Sequence, residues 1–122
     1  MKKFLGLFPV PPALQDQSHV SDLKARLDWG EPALTIVDVR SWIVFDQGRI
    51  QGAVSIPEPG LVEYALANLE PIRDLYIYGE TDKETYAAAA KLRAAGFQHV
   101  SILEGGFEAW KAAKYPVEAV AA

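Results

Sequence analysis

The chain has 122 residues, half of them hydrophobic and 23% charged, a balance that suits one folded domain around a single core and excludes a disordered chain. The formal net charge is −4 with Lys and Arg scattered, so no basic stripe marks a nucleic-acid partner. There are no cysteines and only two histidines, the distant His19 and His99, which excludes disulfides, thiolate metal sites and a zinc site of ordinary spacing; no metal or cofactor is expected.

Residues 1–17 read as an extended lead-in, because Pro9, Pro11 and Pro12 supply no amide hydrogen and bias their neighbours away from helix. The same prolines cut the apolar run from Phe4 to Val10 too short for a signal peptide. No apolar stretch approaches the roughly 20 residues of a membrane span, so a cytoplasmic protein is expected. Ser21 is the predicted N-cap of a first helix, with Leu23 and Leu27 one turn apart and Gly30 and Pro32 as its stop. Ala33 to Val39 is a nearly continuous apolar run, the pattern of a strand buried on both faces. Val54 to Ile56, Leu75 to Tyr78 and Val100 to Leu103 predict three further strands, separated by helical stretches near 61–69, 82–95 and 106–113. In the second of these, Ala87 to Ala90 give helix propensity and Leu92 shares a side with Ala88 and Ala89. Gly96 suits its left-handed terminus, with Phe97 behind it. Such alternation predicts right-handed βαβ units, hence an α/β fold with a parallel sheet between two layers of helices. Residues 18–118 form the predicted domain, followed by a tail, 119–122.

Three segments carry a resemblance. Ile36-Val-Asp-Val-Arg40, Gly48-Arg-Ile-Gln-Gly-Ala-Val-Ser-Ile-Pro57 and Leu103-Glu-Gly-Gly-Phe-Glu-Ala-Trp110 stand in an order and spacing similar to those of the rhodanese family. The resemblance implies a three-layer fold with a mostly parallel five-stranded sheet. In active members a cysteine ends the central strand and opens a loop whose amides cradle an anionic sulfur species. The family pattern, Cys-x-x-Gly-x-Arg and then Ser or Thr, maps without a gap onto Gly79-Glu80-Thr81-Asp82-Lys83-Glu84-Thr85. Gly79 stands for the cysteine, Asp82 for the glycine and Glu84 for the arginine. A thiolate is the sulfur nucleophile, so sulfur transfer and cysteine-dependent phosphatase chemistry are not expected here.

Glu80, Asp82 and Glu84, offset only by Lys83, reverse the sign of a loop that attracts anions in active relatives. Two roles are open to them: a cation or basic-partner site, or a capping box between Thr81 and Glu84 with Asp82 at the positive helix end. Thr81 and Thr85 have no histidine nearby to make them nucleophiles. Asp38 and Arg40 are read as holding loops, and His99 as a solvated turn residue. Trp42-Ile43-Val44-Phe45 matches a short helix of the family with Phe45 directed to the core. Neighbouring helical residues diverge by about 100°, so some of Trp42, Ile43 and Val44 are exposed or covered, either by the lead-in or by another chain.

The expected function is a non-catalytic protein-interaction or regulatory module, binding through Trp42, Ile43, Val44, Glu80, Asp82 and Glu84. The partner is a protein of unspecified identity, a second copy included. The alternatives are a small-molecule or cation sensor built on the acidic loop, and a non-sulfur hydrolase in the same pocket.

Overall fold

Side chains alternate across a strand, and in this chain both faces of each central strand are apolar. In the computed structural model, which describes residues 13–30 and 33–120, this alternation divides the core in two. The elements run β1 Gln17–Ser18, α1 Val20–Trp29, β2 Leu34–Asp38, α2 Trp42–Gln47, β3 Arg49–Ile50, β4 Val54–Ser55, α3 Leu61–Asn68, β5 Asp74–Tyr78, α4 Asp82–Ala94, β6 Val100–Leu103, α5 Gly106–Ala112 and β7 Val117–Glu118. One sheet takes the order β1-β6-β5-β2-β4, with every neighbouring pair parallel. Val37, Leu75, Ile77, Val100 and Ile102 face α3 and α4, where Leu61, Ala65, Ala88, Ala89 and Leu92 are buried. Leu34, Ile36, Tyr76, Tyr78 and Leu103 face the other way, onto Leu23 of α1 and Trp110 of α5. The three-layer α/β sandwich is therefore present, and all its five strands are parallel. No helix among the described residues is long and apolar enough to cross a membrane.

The helix ends explain where the elements stop. At the end of α4 the amide of Phe97 donates to the Leu92 carbonyl and that of Gly96 to Arg93, both at 3.1 Å, with Gly96 at φ 106°. Phe97 and Leu92 are both buried, completing the hydrophobic contact that accompanies this termination. Gly30 closes α1 in the same left-handed region; Pro32 lies outside the described residues. The N-cap lies two residues earlier than Ser21, at His19, because the Asp22 carboxylate accepts the His19 amide at 2.9 Å and so draws two more residues into the helix. Leu23 is buried, but Leu27 is exposed, and Arg26 takes the remaining inward position by pairing with Asp74 at 2.8 Å.

Three strands were not expected. β1, at the end of the lead-in, pairs with β6; β3 and β7 form a separate antiparallel ladder, Arg49 opposite Glu118 and Ile50 opposite Val117. Phe45 is also not a core residue. No residue of α2 is buried, and the Phe45 ring lies half-covered under the Arg49 guanidinium at 4.4 Å. A helix of six residues bridging β2 and β3 along the sheet margin has no second layer to bury a face against.

What fixes that margin is an ion pair in the core. Asp38, fully buried at the end of β2, accepts from Arg40 Nη2 at 2.6 Å and Nε at 3.1 Å on one oxygen, and from the Arg40 amide at 2.9 Å on the other. Arg40 also donates to the Gly48 carbonyl at 2.6 Å, and its guanidinium lies 5.3 Å from the Tyr78 ring and 5.1 Å from that of Phe107. Burial works against the charged guanidinium, but the Asp38 bonds outweigh it and its pKa stays above the ordinary value. Replacing Asp38 by Asn removes the charge and leaves a buried cation uncompensated, so Asp38→Asn is expected to lower unfolding stability by about 3 kcal/mol in a denaturant titration. A loss below about 1 kcal/mol would show that Arg40 finds water instead.

Candidate functional site

Parallel strands deliver their carboxyl ends to one side of the sheet, and the chain leaves β2 and β5 there side by side. Asp38 is in register with Tyr78, so Val39 and Gly79 are neighbours, and the Val39 amide donates to the Tyr78 carbonyl at 3.0 Å. The segment from Ser41 into α2 and the loop from Gly79 into α4 thus form two lips of one edge. Gly106, at φ 52°, packs behind them: a Cβ there would stand 3.4 Å from the Gly79 carbonyl oxygen.

The loop Gly79 to Thr85 is closed by its own side chains. Thr85 is buried; its hydroxyl accepts the Gly79 amide at 2.7 Å and donates to the Thr81 carbonyl at 3.0 Å. Thr81 caps α4, accepting the Glu84 amide at 3.1 Å. The return bond of the expected capping box falls one residue earlier than predicted: Glu84 Oε1 accepts the amide of Glu80 at 3.3 Å, not that of Thr81. The helix end carries its own carboxylate, and the amides of Gly79, Glu80 and Glu84 are already paired with side chains of the loop. Asp82 Oδ1 accepts the Gly105 amide at 3.1 Å, tying the loop to the start of α5. The Asp82 and Glu84 carboxylates are therefore spent on amides, and among the described residues no group of three or more acidic or histidine side chains converges as a metal site would require.

Gly79 is buried and tightly enclosed. A Cβ at this position would lie 3.2 Å from Val39 Cγ2 and 3.3 Å from Thr85 Oγ1, closer than ordinary contact. A side chain here would require Val39 and Thr85 to give by a few tenths of an ångström, and the Thr85 hydroxyl is the same group that holds the loop.

On the other lip, Ser41 caps α2 by accepting the Val44 amide at 3.3 Å. Trp42 is 62% exposed and Ile43 58%, while Val44 is half-buried. The alternative covering by Phe4 to Val10 lies outside the described residues. Among residues the sequence reading missed as part of this edge, Tyr78 matters most. Its hydroxyl accepts the Ile50 amide at 3.2 Å, and burial, reinforced by the neighbouring Asp38 carboxylate, pushes its pKa upward. The tyrosine is thus a neutral strut between β5 and β3, and only its place one residue before Gly79 hinted at it. His99 is exposed at the far end of the sheet, away from the loop.

Residues 19–113 match the family described as Rhodanese-like domain. The chain is 32% identical over 97 residues to a sulfurtransferase of Allochromatium vinosum, a span of 80% of this chain and 89% of that protein. It is 30% identical over 90 residues to the thiosulfate sulfurtransferase GlpE of Pseudomonas savastanoi pv. phaseolicola, covering 74% of this chain and 83% of the relative. The crystal structure of the Alr3790 protein from Anabaena sp. is similar at a TM-score of 0.83 and 48% identity, over 84% of this chain and 80% of that one.

The side-chain closure of the loop has a measurable cost when opened. Thr81→Ala removes a helix cap and is expected to destabilise the domain by about 1 kcal/mol. Thr85→Val keeps the shape but leaves the Gly79 amide without its partner, a loss of about 2 kcal/mol. Urea midpoints order the two variants; a Thr85→Val midpoint equal to that of the parent protein would mean that the hydroxyl only fills space.

Proposed function

The chain belongs to the rhodanese-like domain family, and from that membership, joined to its missing cysteine, we propose that it is a catalytically silent member that works as a protein-interaction or regulatory module. The observation that carries this reading is the self-satisfied loop. Where active relatives need a thiolate amid open amides, the chain has the enclosed Gly79, and Thr85, Glu84 and Thr81 side chains occupy the amides of Gly79, Glu80 and Glu84. Conversion of the loop into a hydrolytic site is not supported, because the nearest hydroxyls, Thr81 and Thr85, are engaged in capping and have no histidine base beside them.

The supporting observation for binding is the exposed pair Trp42 and Ile43 on the adjoining lip. Two adjacent large apolar side chains make a contiguous exposed patch, and aromatic residues are common anchors of an interface. Glu80, with Trp42 and Ile43, supplies the contact surface, while Asp82 and Glu84 hold the loop in place behind it. The domain assignment 18–118, a cytoplasmic location and a protein partner, with a second copy as its simplest form, belong to the same proposal.

Two measurements test it. The purified protein is expected to transfer no sulfur from thiosulfate to cyanide, and Gly79→Cys alone is expected to add little, since Glu84 repels the substrate and the new side chain crowds Val39 and Thr85. Adding Asp82→Gly and Glu84→Arg is expected to raise turnover well above the single variant; equal rates in the two would refute the electrostatic part. For binding, Trp42→Ala with Ile43→Ser is expected to abolish association in light scattering or pull-down with the circular dichroism spectrum intact. Association that survives this pair but disappears on neutralising Glu80, Asp82 and Glu84 would move the contact to the acidic lip.

A further inference from the structure

The opposite end of the sheet holds three adjoining clefts. A cleft of about 510 Å³ lies between β4 and α3, walled by Val54, Ile56, Tyr64 and Leu69. A second, of about 360 Å³, lies on the other side of β4 and takes Leu27 and Gly52. Both include Thr35, Val54 and Arg73, so they meet at one arginine. A third, of about 320 Å³, reaches Arg73 past the exposed Ile72. Volumes of a few hundred Å³ are those of small-ligand sites, and the first cleft sets Thr35, Asn68, Glu70 and Arg73 beside its apolar wall.

Arg73 is the fixed polar group. Its Nε donates to the Thr35 hydroxyl and its Nη2 to the Leu34 carbonyl at 2.9 Å, so the half-buried guanidinium is held in one orientation by the first two residues of β2. Those bonds use two of its five donors, and Nη1 donates to no described group. Arg26 and Arg40 each pair with an aspartate, whereas no carboxylate of the described residues forms an ion pair with Arg73. A guanidinium locked at its backbone side presents a planar, preorganised edge to the cleft, suited to a carboxylate and already relieved of much of its ordering entropy. Val54, Tyr64 and Leu69 beside it offer apolar surface; Glu70 on the same wall opposes every negative charge, so a carboxylate is favoured only when seated directly on the Arg73 guanidinium, and each further negative charge adds to the cost.

We infer that the cleft at Arg73 binds a small organic monocarboxylate with an aromatic or aliphatic body, its carboxylate on the Arg73 guanidinium and its body against Val54 and Tyr64. The site is independent of the silent loop, which lies at the other end of the strands.

The test is a titration of the isotope-labelled 122-residue chain with 4-phenylbutyrate, followed by amide NMR shifts, with the neutral 4-phenylbutyramide as the control. Saturable shifts centred on Val54, Tyr64, Asn68 and Arg73 are expected, with the amide binding at least about tenfold more weakly. Arg73→Gln is expected to weaken the acid by a similar factor. If that variant loses its fold, Val54→Asp decides instead: it sets a carboxylate beside Arg73 from an exposed position and is expected to block the acid. Absence of saturable shifts up to about 10 mM, equal binding of acid and amide, shifts centred on residues 79–85, or full binding to a folded Arg73→Gln or Val54→Asp protein would each overturn the assignment.

Discussion

A carboxylate with no solvent exposure at the end of a central strand is tolerable only if its charge is met in place, and Asp38 is met by a residue two positions away. The pair does more than neutralise itself. Because the Arg40 side chain must turn back to reach Asp38, the backbone beyond β2 is forced sharply across the sheet margin, and the remaining guanidinium donor fixes the Gly48 carbonyl at the far end of α2. The same cation rests between the Tyr78 and Phe107 rings, from β5 and α5. One short contact therefore sets the positions of four elements. Gly48 must be small for this to work, since a Cβ there would stand 3.1 Å from the Phe107 ring.

The loop after β5 shows how a backbone turn can be held from within by its own side chains. A cradle of amides open to an anion leaves backbone donors unpaired until a ligand arrives, which costs stability. In this chain threonine and glutamate side chains meet three of the loop's donors, the amides of Gly79, Glu80 and Glu84, and Asp82 adds a tether to α5. The length of the loop is preserved because Thr85 must still reach back to Gly79 across one turn of helix. Asp82 and Glu84 are thus accounted for by local hydrogen bonding, without reference to any new ligand.

Much of this was legible in the residues themselves. Ala33 to Val39 and Leu75 to Tyr78 are long enough and apolar enough to read as doubly buried strands, and Gly96 followed by Phe97 announces a helix end. The Asp38-Val39-Arg40 and Gly105-Gly106-Phe107 fragments placed the whole in a family frame. Gln17–Ser18, Arg49–Ile50 and Val117–Glu118 were not legible, since a strand of two residues shows no alternation and exists only through its partner. Phe45 misled because an aromatic residue in a short helix reads as core, whereas the Arg49 guanidinium gives its ring an alternative cover. Ser21 misled as a cap because Asp22 competes for the same turn from one residue further on. The Arg73 cleft had no sequence signal at all: it is assembled from the ends of β2, β4, α3 and β5, and only the register brings them together.

The sheet order places β1 and β4 at its two margins, and each is two residues long. A strand margin is a row of unpaired amides and carbonyls on which an unrelated chain can crystallise into an extended β-structure, and the hazard grows with its length. With two residues on offer at either side, and Pro57 shortly after β4, a stray strand gains too few bonds to hold its alignment. The long, apolar strands β2 and β5 that would be most prone to stack are sealed in the middle. The domain can therefore leave apolar side chains such as Trp42 and Ile43 exposed while withholding the backbone template from which fibrils grow.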